Sequence, residues 1–244
     1  NCRVKPVCKW WMDSIDTSMV VFCRLGTKAL LTRQELMEAV RKYCEEKLKY
    51  AEELACTYGW PIGTWNVSKI TDFSWIFLYK IDFNEDIAEW DVSNGTNFTG
   101  LFYGASSFNK PIGKWNVSKS TSFGDMFGKA GSFNQDLSRW KTGKAKTMAR
   151  MFFCALSFNR DISNWDTRSV NYMNGMFYKA SSFNYDISNW MTSNVTDMEW
   201  MFREAKSFCQ NISRWDVANV QRHNLIFHGA TLFKGDEFTP RFHT

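Results

Sequence analysis

The sequence predicts an α/β repeat protein: a leucine-rich-repeat-like solenoid of about seven 25-residue coils behind an N-terminal helical cap. Three observations carry this prediction. Seven Trp stand at 65, 90, 115, 140, 165, 190 and 215, and every interval is 25. Seven Phe at 77, 102, 127, 152, 177, 202 and 227, and seven more at 83, 108, 133, 158, 183, 208 and 233, keep the same interval. The third observation is negative: no repeat precedes Trp65, and that segment has helical patterning instead. The register holds 7 of the 12 Trp and 14 of the 21 Phe, so the repeat accounts for an aromatic content of 17%. A fixed period of this length marks stacked architectures, in which no single unit can bury its own apolar face.

The elements follow in chain order. Residues 1–58 form the expected cap, and Met19-Val20-Val21-Phe22-Cys23 reads as a strand within it. Thr32-Arg33-Gln34-Glu35 is a capping box. After it, Leu36, Met37, Val40, Cys44, Leu48, Ala51, Leu54 and Ala55 hold helical spacing, which predicts one long amphipathic helix from about Arg33 to Tyr58. Tyr58-Gly59 ends the pattern and Pro61 prevents its return. The apolar face of this helix is expected to cover the first coil, because an end coil would otherwise expose its core.

Residues 59–233 form the expected solenoid. Ile or Leu precedes each repeat Trp by three, and Val or Thr follows by two, as in Ile162, Trp165 and Thr167. Alternation at the end of this segment predicts a short strand. Met173, Met176-Phe177, Ala180 and Phe183 recur near every third residue, which predicts a helical or 3₁₀ turn. A strand plus such a turn within 20 to 29 residues is the leucine-rich-repeat plan. Strands about 4.8 Å apart would make seven coils span roughly 30 Å. Asn84, Asn109, Asn134, Asn159 and Asn184 follow a repeat Phe, and Asp86, Asp136, Asp161 and Asp186 precede the repeat Ile or Leu. Their side chains suit hydrogen bonds to turn backbone. Calcium between neighbouring Asp residues fits less well, since Pro61, Pro111 and Asn211 replace Asp in three coils. Residues 234–244, with Phe238 and Phe242, are expected to close the far end.

Composition excludes several classes. A net charge of +5 is too mild to indicate nucleic acid without a motif. The three His all lie in the last 22 residues, so most of the chain has no imidazole for acid–base or metal chemistry. No apolar run reaches the ~18 residues of a membrane span. The start at Asn1 reads as a processed or trimmed product. Of the seven Cys, Cys2, Cys8, Cys23, Cys44 and Cys56 fall in the cap, while Cys154 and Cys209 fall in the repeats. No C-x-x-C pair supports zinc. Cys this dense in the cap suggests one or two disulfides and an oxidising compartment, with reduced buried thiols as the alternative.

Candidate binding residues stand where the repeat pattern lapses. The coil around Trp140 carries Arg139, Lys141, Lys144, Lys146 and Arg150, five cations in twelve residues with no carboxylate among them. Lys114 and Lys119 lie one coil earlier. Like charges in register oppose folding slightly, and a tolerated cost of that kind points to an acidic partner. A solvated Lys-rich edge is the plainer alternative. Ten residues after the repeat Trp stand Gly100, Asp125, Arg150 and Gly175, but Trp75 and Trp200 occupy this position in two other coils. Exposed Trp marks interfaces, and the alternative is that both rings lie flat over neighbouring coils. Catalytic, cofactor-binding and metal residues are expected to be none. Asp86, Asp136, Asp161 and Asp186 are repeat copies in equal surroundings, whereas a catalytic carboxylate pair needs two unequal ones.

Residues 188 to 208, Ser-Asn-Trp-Met-Thr-Ser-Asn-Val-Thr-Asp-Met-Glu-Trp-Met-Phe-Arg-Glu-Ala-Lys-Ser-Phe, resemble the 25-residue repeat of BspA-like leucine-rich-repeat surface proteins. These occur in mycoplasmas, other bacteria and some microbial eukaryotes. The resemblance covers about Gly59 to Phe233. Its main departure is Lys141-Thr142-Gly143-Lys144-Ala145-Lys146-Thr147 after Trp140. The resemblance implies a non-catalytic, often surface-exposed module that binds proteins or serves as a scaffold. A structural peripheral subunit of a large organelle membrane assembly is the second expectation, and a glycan-active enzyme the third. The expected partner is a protein or anionic polysaccharide with an acidic surface, at the cell surface or in an organelle lumen. Sequons at Asn66, Asn94, Asn97, Asn116, Asn194 and Asn211 arise from the repeat consensus itself.

Overall fold

The computed structural model describes residues 28–242. Among the described residues two helices come first: α1, Arg33–Glu45, and α2, Lys47–Tyr58. The Thr32 hydroxyl accepts the Glu35 N–H at 3.1 Å, and the Glu35 carboxylate accepts the Leu31 N–H at 3.0 Å. The capping box is therefore formed, with its acid reaching one residue further out than the standard motif. Glu35 is also fixed by Lys28 at 2.6 Å and by the Tyr58 hydroxyl at 3.1 Å, which ties the start of α1 to the end of α2.

The single helix expected over Arg33–Tyr58 is two. Glu46 leaves helical geometry at φ −129° and ψ 36°, and its carboxylate is gripped by Arg41 from one side and Lys49 from the other. The break resets the phase of the apolar face. Leu36, Ala39, Val40 and Tyr43 are buried on α1, and Ala51 and Leu54 on α2, but Leu48 is turned out and 77% exposed. The strand expected at Met19–Cys23 lies outside the described residues, as do Cys2, Cys8 and Cys23.

From Ile62 onward the chain advances in 25-residue coils, each hydrogen-bonded to the next. Parallel bridges join Asp72 to Asn97, Asn97 to Ser122, and so on through Thr147, Tyr172 and Asp197 to Arg222. No described residue lies in a continuous strand. The strand expected at Ile-x-x-Trp-x-Val is absent there: the bridges fall seven residues after each Trp. The Ile–Trp segment contacts the neighbouring coil through the indole instead. Each repeat indole N–H from Trp90 to Trp215 donates to the carbonyl 28 residues earlier, at 2.9 to 3.2 Å, and Trp65 donates to Gly59.

The expected helical turn is also different. Residues 173–180 illustrate it. Met176, Tyr178 and Ala180 donate back to Met173, Gly175 and Phe177, while Met173, Gly175, Phe177 and Lys179 donate forward to Asp197, Glu199, Met201 and Arg203. Gly175 and Lys179 have φ near +59° and +55°. A left-handed residue turns the adjoining peptide planes over, so alternate N–H groups leave the coil. A helix would keep them all within itself. The same two positions have positive φ in all seven coils, from Trp75 and Tyr79 to Leu225 and Gly229.

The aromatic residues fill the interior in columns. Phe77 to Phe227 stack at 5.3 to 5.8 Å between ring centroids. Phe83 to Phe233 stack at 5.8 to 6.2 Å, and Trp140, Trp165, Trp190 and Trp215 at 6.3 to 6.4 Å. These separations lie in the favoured range for offset rings. The Asn residues add a polar column: each Oδ1 of Asn84, Asn109, Asn134, Asn159 and Asn184 accepts the backbone N–H 25 residues on. The carboxylates of Asp86, Asp136, Asp161 and Asp186 each accept the N–H two residues later. That contact holds Asp136 and Asp186 below the usual carboxylate range.

The helices lie against the first coil. Tyr43 meets Trp65 edge-on at 5.7 Å, and the Arg33 Nε donates to the Ser74 carbonyl at 2.8 Å. Lys47 reaches Glu85 at 3.0 Å, and Lys80 pairs with Glu45. The tail holds a 3₁₀ turn at Gly235–Glu237, and the Phe238 carbonyl accepts the Ile212 N–H.

Candidate interaction surface

The 25-residue register sets equivalent side chains in columns one coil apart. The positions on either side of each repeat Trp are turned outward in every coil, because the indole between them is buried. This places Lys114 and Arg139 in one outward column. Lys141 occupies the column on the other side of Trp140. Four residues after Trp, Lys119 and Lys144 share a third column, and the Lys119 ammonium donates to the Asn94 side chain one coil back at 2.6 Å. Lys146 takes a position held by Thr71, Thr96, Thr121 and Thr196 in other coils.

Lys141 and Lys144 line one shallow depression of about 340 Å³ beside Trp140, with Ser118, Asn164 and Asp166 on its other walls. Asp166 faces this depression but is engaged: Arg168 grips it at 2.7 Å and holds its carboxyl below the usual range. Lys114, Arg139, Lys141, Lys144 and Lys146 are all exposed, and none forms an ion pair among the described residues.

Arg150 separates from this group. Its guanidinium pairs with Asp125 at 2.9 Å and lies over the Phe153 ring at 4.4 Å. Burial pushes the Asp125 carboxyl up, and Arg150 opposes the rise. Trp75 and Trp200 sit at left-handed positions, φ +60° and +58°. The Trp75 ring covers Gly100 of the next coil so closely that a Cβ there would meet it at 2.0 Å. Trp200 is 42% exposed.

The sequence reading missed a row of partly exposed rings. Tyr79 and Tyr103 meet edge-on at 5.5 Å, with Lys129 lying over both. Phe153 and Tyr178 stack at 4.9 Å, and Arg203 and Lys179 approach Tyr178. The signal was present in residue 13 after each Trp, which is Tyr103, Phe153 and Tyr178 in three coils. These rings directly follow core Phe residues, and that adjacency hides them within the apolar pattern.

Cys44, Cys154 and Cys209 are free thiols, and no disulfide joins two described residues. Burial pushes the Cys44 thiol up to about 12. Among the described residues no helix is long and apolar enough to cross a membrane.

The model of one family, described as mycoplasma protein of unknown function, DUF285, matches residues 47–162 and 139–239. The chain belongs to this family. The two matches together run from α2 through the seventh coil into the tail, so the family's signature is the repeat itself. No curated protein and no solved structure matches the chain.

Proposed function

We propose that this DUF285 chain is a non-catalytic interaction module, a leucine-rich-repeat-like solenoid of the BspA-like kind working at a cell surface or in an organelle lumen. Its partner is a protein with a carboxylate-rich surface, held at the basic coil. The observation that carries this reading is that Lys114, Arg139, Lys141, Lys144 and Lys146 are exposed in adjacent coils without an ion-pair partner among the described residues. Elsewhere the chain does pair cations across coils, as Arg150 with Asp125 and Arg222 with Asp197 and Glu199. Unpaired cations in neighbouring columns raise the local potential and favour an acidic surface. The repeated carboxylates support the non-catalytic part, since each accepts a backbone N–H in like surroundings.

Binding to immobilised polyglutamate tests the charge reading. The parent chain should bind at low salt and release as ionic strength rises and the screening length falls below ~10 Å. Changing Arg139, Lys141, Lys144 and Lys146 to Ser should weaken binding at least tenfold without lowering Tm. Equal retention of the parent and this variant at low salt would reduce the basic coil to a solvated edge.

A further inference from the structure

At the left-handed turns the backbone hydrogen bonds between coils run from each coil to the next, while beside them one N–H runs back to the preceding coil, as Gln221 donates to the Thr196 carbonyl. At each of six interfaces, four alternate N–H groups of one coil donate to four carbonyls of the next, as Met198, Trp200, Phe202 and Glu204 donate to Arg222, Asn224, Ile226 and His228. One edge of the array therefore presents carbonyls and the other presents N–H groups. The carbonyl edge lies against this chain's own α1, and one of its four carbonyls, that of Ser74, accepts from Arg33 at 2.8 Å. A cation on a carbonyl row is the electrostatic complement of that edge.

The other edge is not matched in this way. His223, Leu225, Phe227 and Gly229 occupy the donor positions of the seventh coil, and among the described residues none of their N–H groups has an acceptor. The Gln221 carbonyl is likewise without a donor, although its six counterparts each accept an N–H from the following coil. The packing shows the same gap. Phe202 and Phe208 are 0% exposed, whereas their equivalents Phe227 and Phe233 are only partly buried. Leu225 and Leu232 are 49% and 59% exposed. The tail covers part of this coil, with Phe242 stacked on His223 at 4.5 Å and Phe238 against Phe233, but its described residues supply no carbonyl to the four donors.

We infer that this edge is a docking surface for the uncovered carbonyl edge of a repeat coil in another protein of the same 25-residue type. The pairing needs four acceptors at alternate residues and one donor beside them, over an apolar floor. A repeat coil supplies this set at every internal interface. A second copy of this chain does not fit, because its own carbonyl edge lies under α1 and Arg33. Strand addition to an open edge draws its affinity from main-chain bonds in the same way.

Amide hydrogen exchange on the full chain tests this, with a synthetic 25-residue peptide copying residues 190–214 as the probe and a scrambled peptide as control. In the free chain the amides of His223, Leu225, Phe227 and Gly229 should exchange fast, and those of Met198, Trp200, Phe202 and Glu204 slowly. The repeat peptide should slow the first set at least tenfold, and the scrambled peptide should not. Leu225→Lys with Leu232→Lys, at two exposed positions, should abolish the slowing and leave the second set unchanged. Slow exchange of the first set in the free chain would overturn the inference. So would equal slowing by both peptides, no slowing by either, or slowing by inorganic phosphate alone, which would make the row an anion site.

Discussion

Trp165 has a neighbouring repeat Trp on each side, at 6.3 and 6.4 Å, and gives its indole N–H to the Leu137 carbonyl. Removing it therefore empties a ring-sized space and leaves a buried acceptor without its donor. Trp165→Ala should cost about 3–5 kcal/mol, read as a fall in Tm or in denaturant midpoint. An unchanged Tm would contradict the core role of the column. Burial likewise governs the reactivity of Cys44. With its thiol pushed up to about 12, it should resist iodoacetamide at pH 8 in the folded chain and react once the chain is unfolded. The Trp and Phe columns were legible in the sequence because large rings at a strict interval leave burial as the economical solution. The indole hydrogen bond was not legible: a carbonyl 28 residues away becomes an acceptor only once the coils have stacked. Nor were the left-handed positions, since Trp75, Asp125, Arg150, Cys154 and Glu204 hold them as readily as Gly100. Glycine there would have announced the turn, but the ladder of inter-coil bonds imposes it on residues that disfavour it.

The cap helices were legible in outline. The capping box fixed the start of α1 at Thr32, and Gly59 with Pro61 fixed the end of α2. The break at Glu46 was not, because it depends on Arg41 and Lys49 closing on one carboxylate, and helical propensity alone runs straight through. Thr32→Ala should destabilise α1 by about 1 kcal/mol, measured as lost helical signal at a fixed denaturant concentration. Glu35 adds a pH dependence. Its carboxyl lies below the ordinary glutamate value, chiefly through Lys28 and then the Leu31 N–H. A carboxyl depressed in the folded state contributes stability that is present above its unfolded pKa and lost as pH falls through the folded value. The parent chain should thus lose more stability than Glu35→Gln between pH 6 and pH 3. A loss of equal size in both chains would show that the acid at this position does not secure the helix start.

At the scale of the whole molecule, cap and coils depend on one another. Ile62, Trp65 and Phe73 lie in one buried cluster with Leu36, Val40 and Tyr43. Deleting residues 1–58 uncovers that surface, and the fragment beginning at Gly59 should aggregate. A soluble fragment with one cooperative melt would show that the first coil does not need the helices. The basic coil was readable as a break in the repeat, but which of its cations stand free was not. Arg150 is close to the others in sequence, and only coil stacking brings it to Asp125. Every coil is locked to its neighbour in one 25-residue register, and solvent exchange of indole N–H protons, followed by NMR, reads that lock. The indoles of Trp65, Trp90, Trp115, Trp140, Trp165, Trp190 and Trp215 each hold a buried carbonyl. These seven should exchange slowly as one class, while the half-exposed Trp200 exchanges fast. Exchange of the seven at the rate of Trp200 would contradict the register.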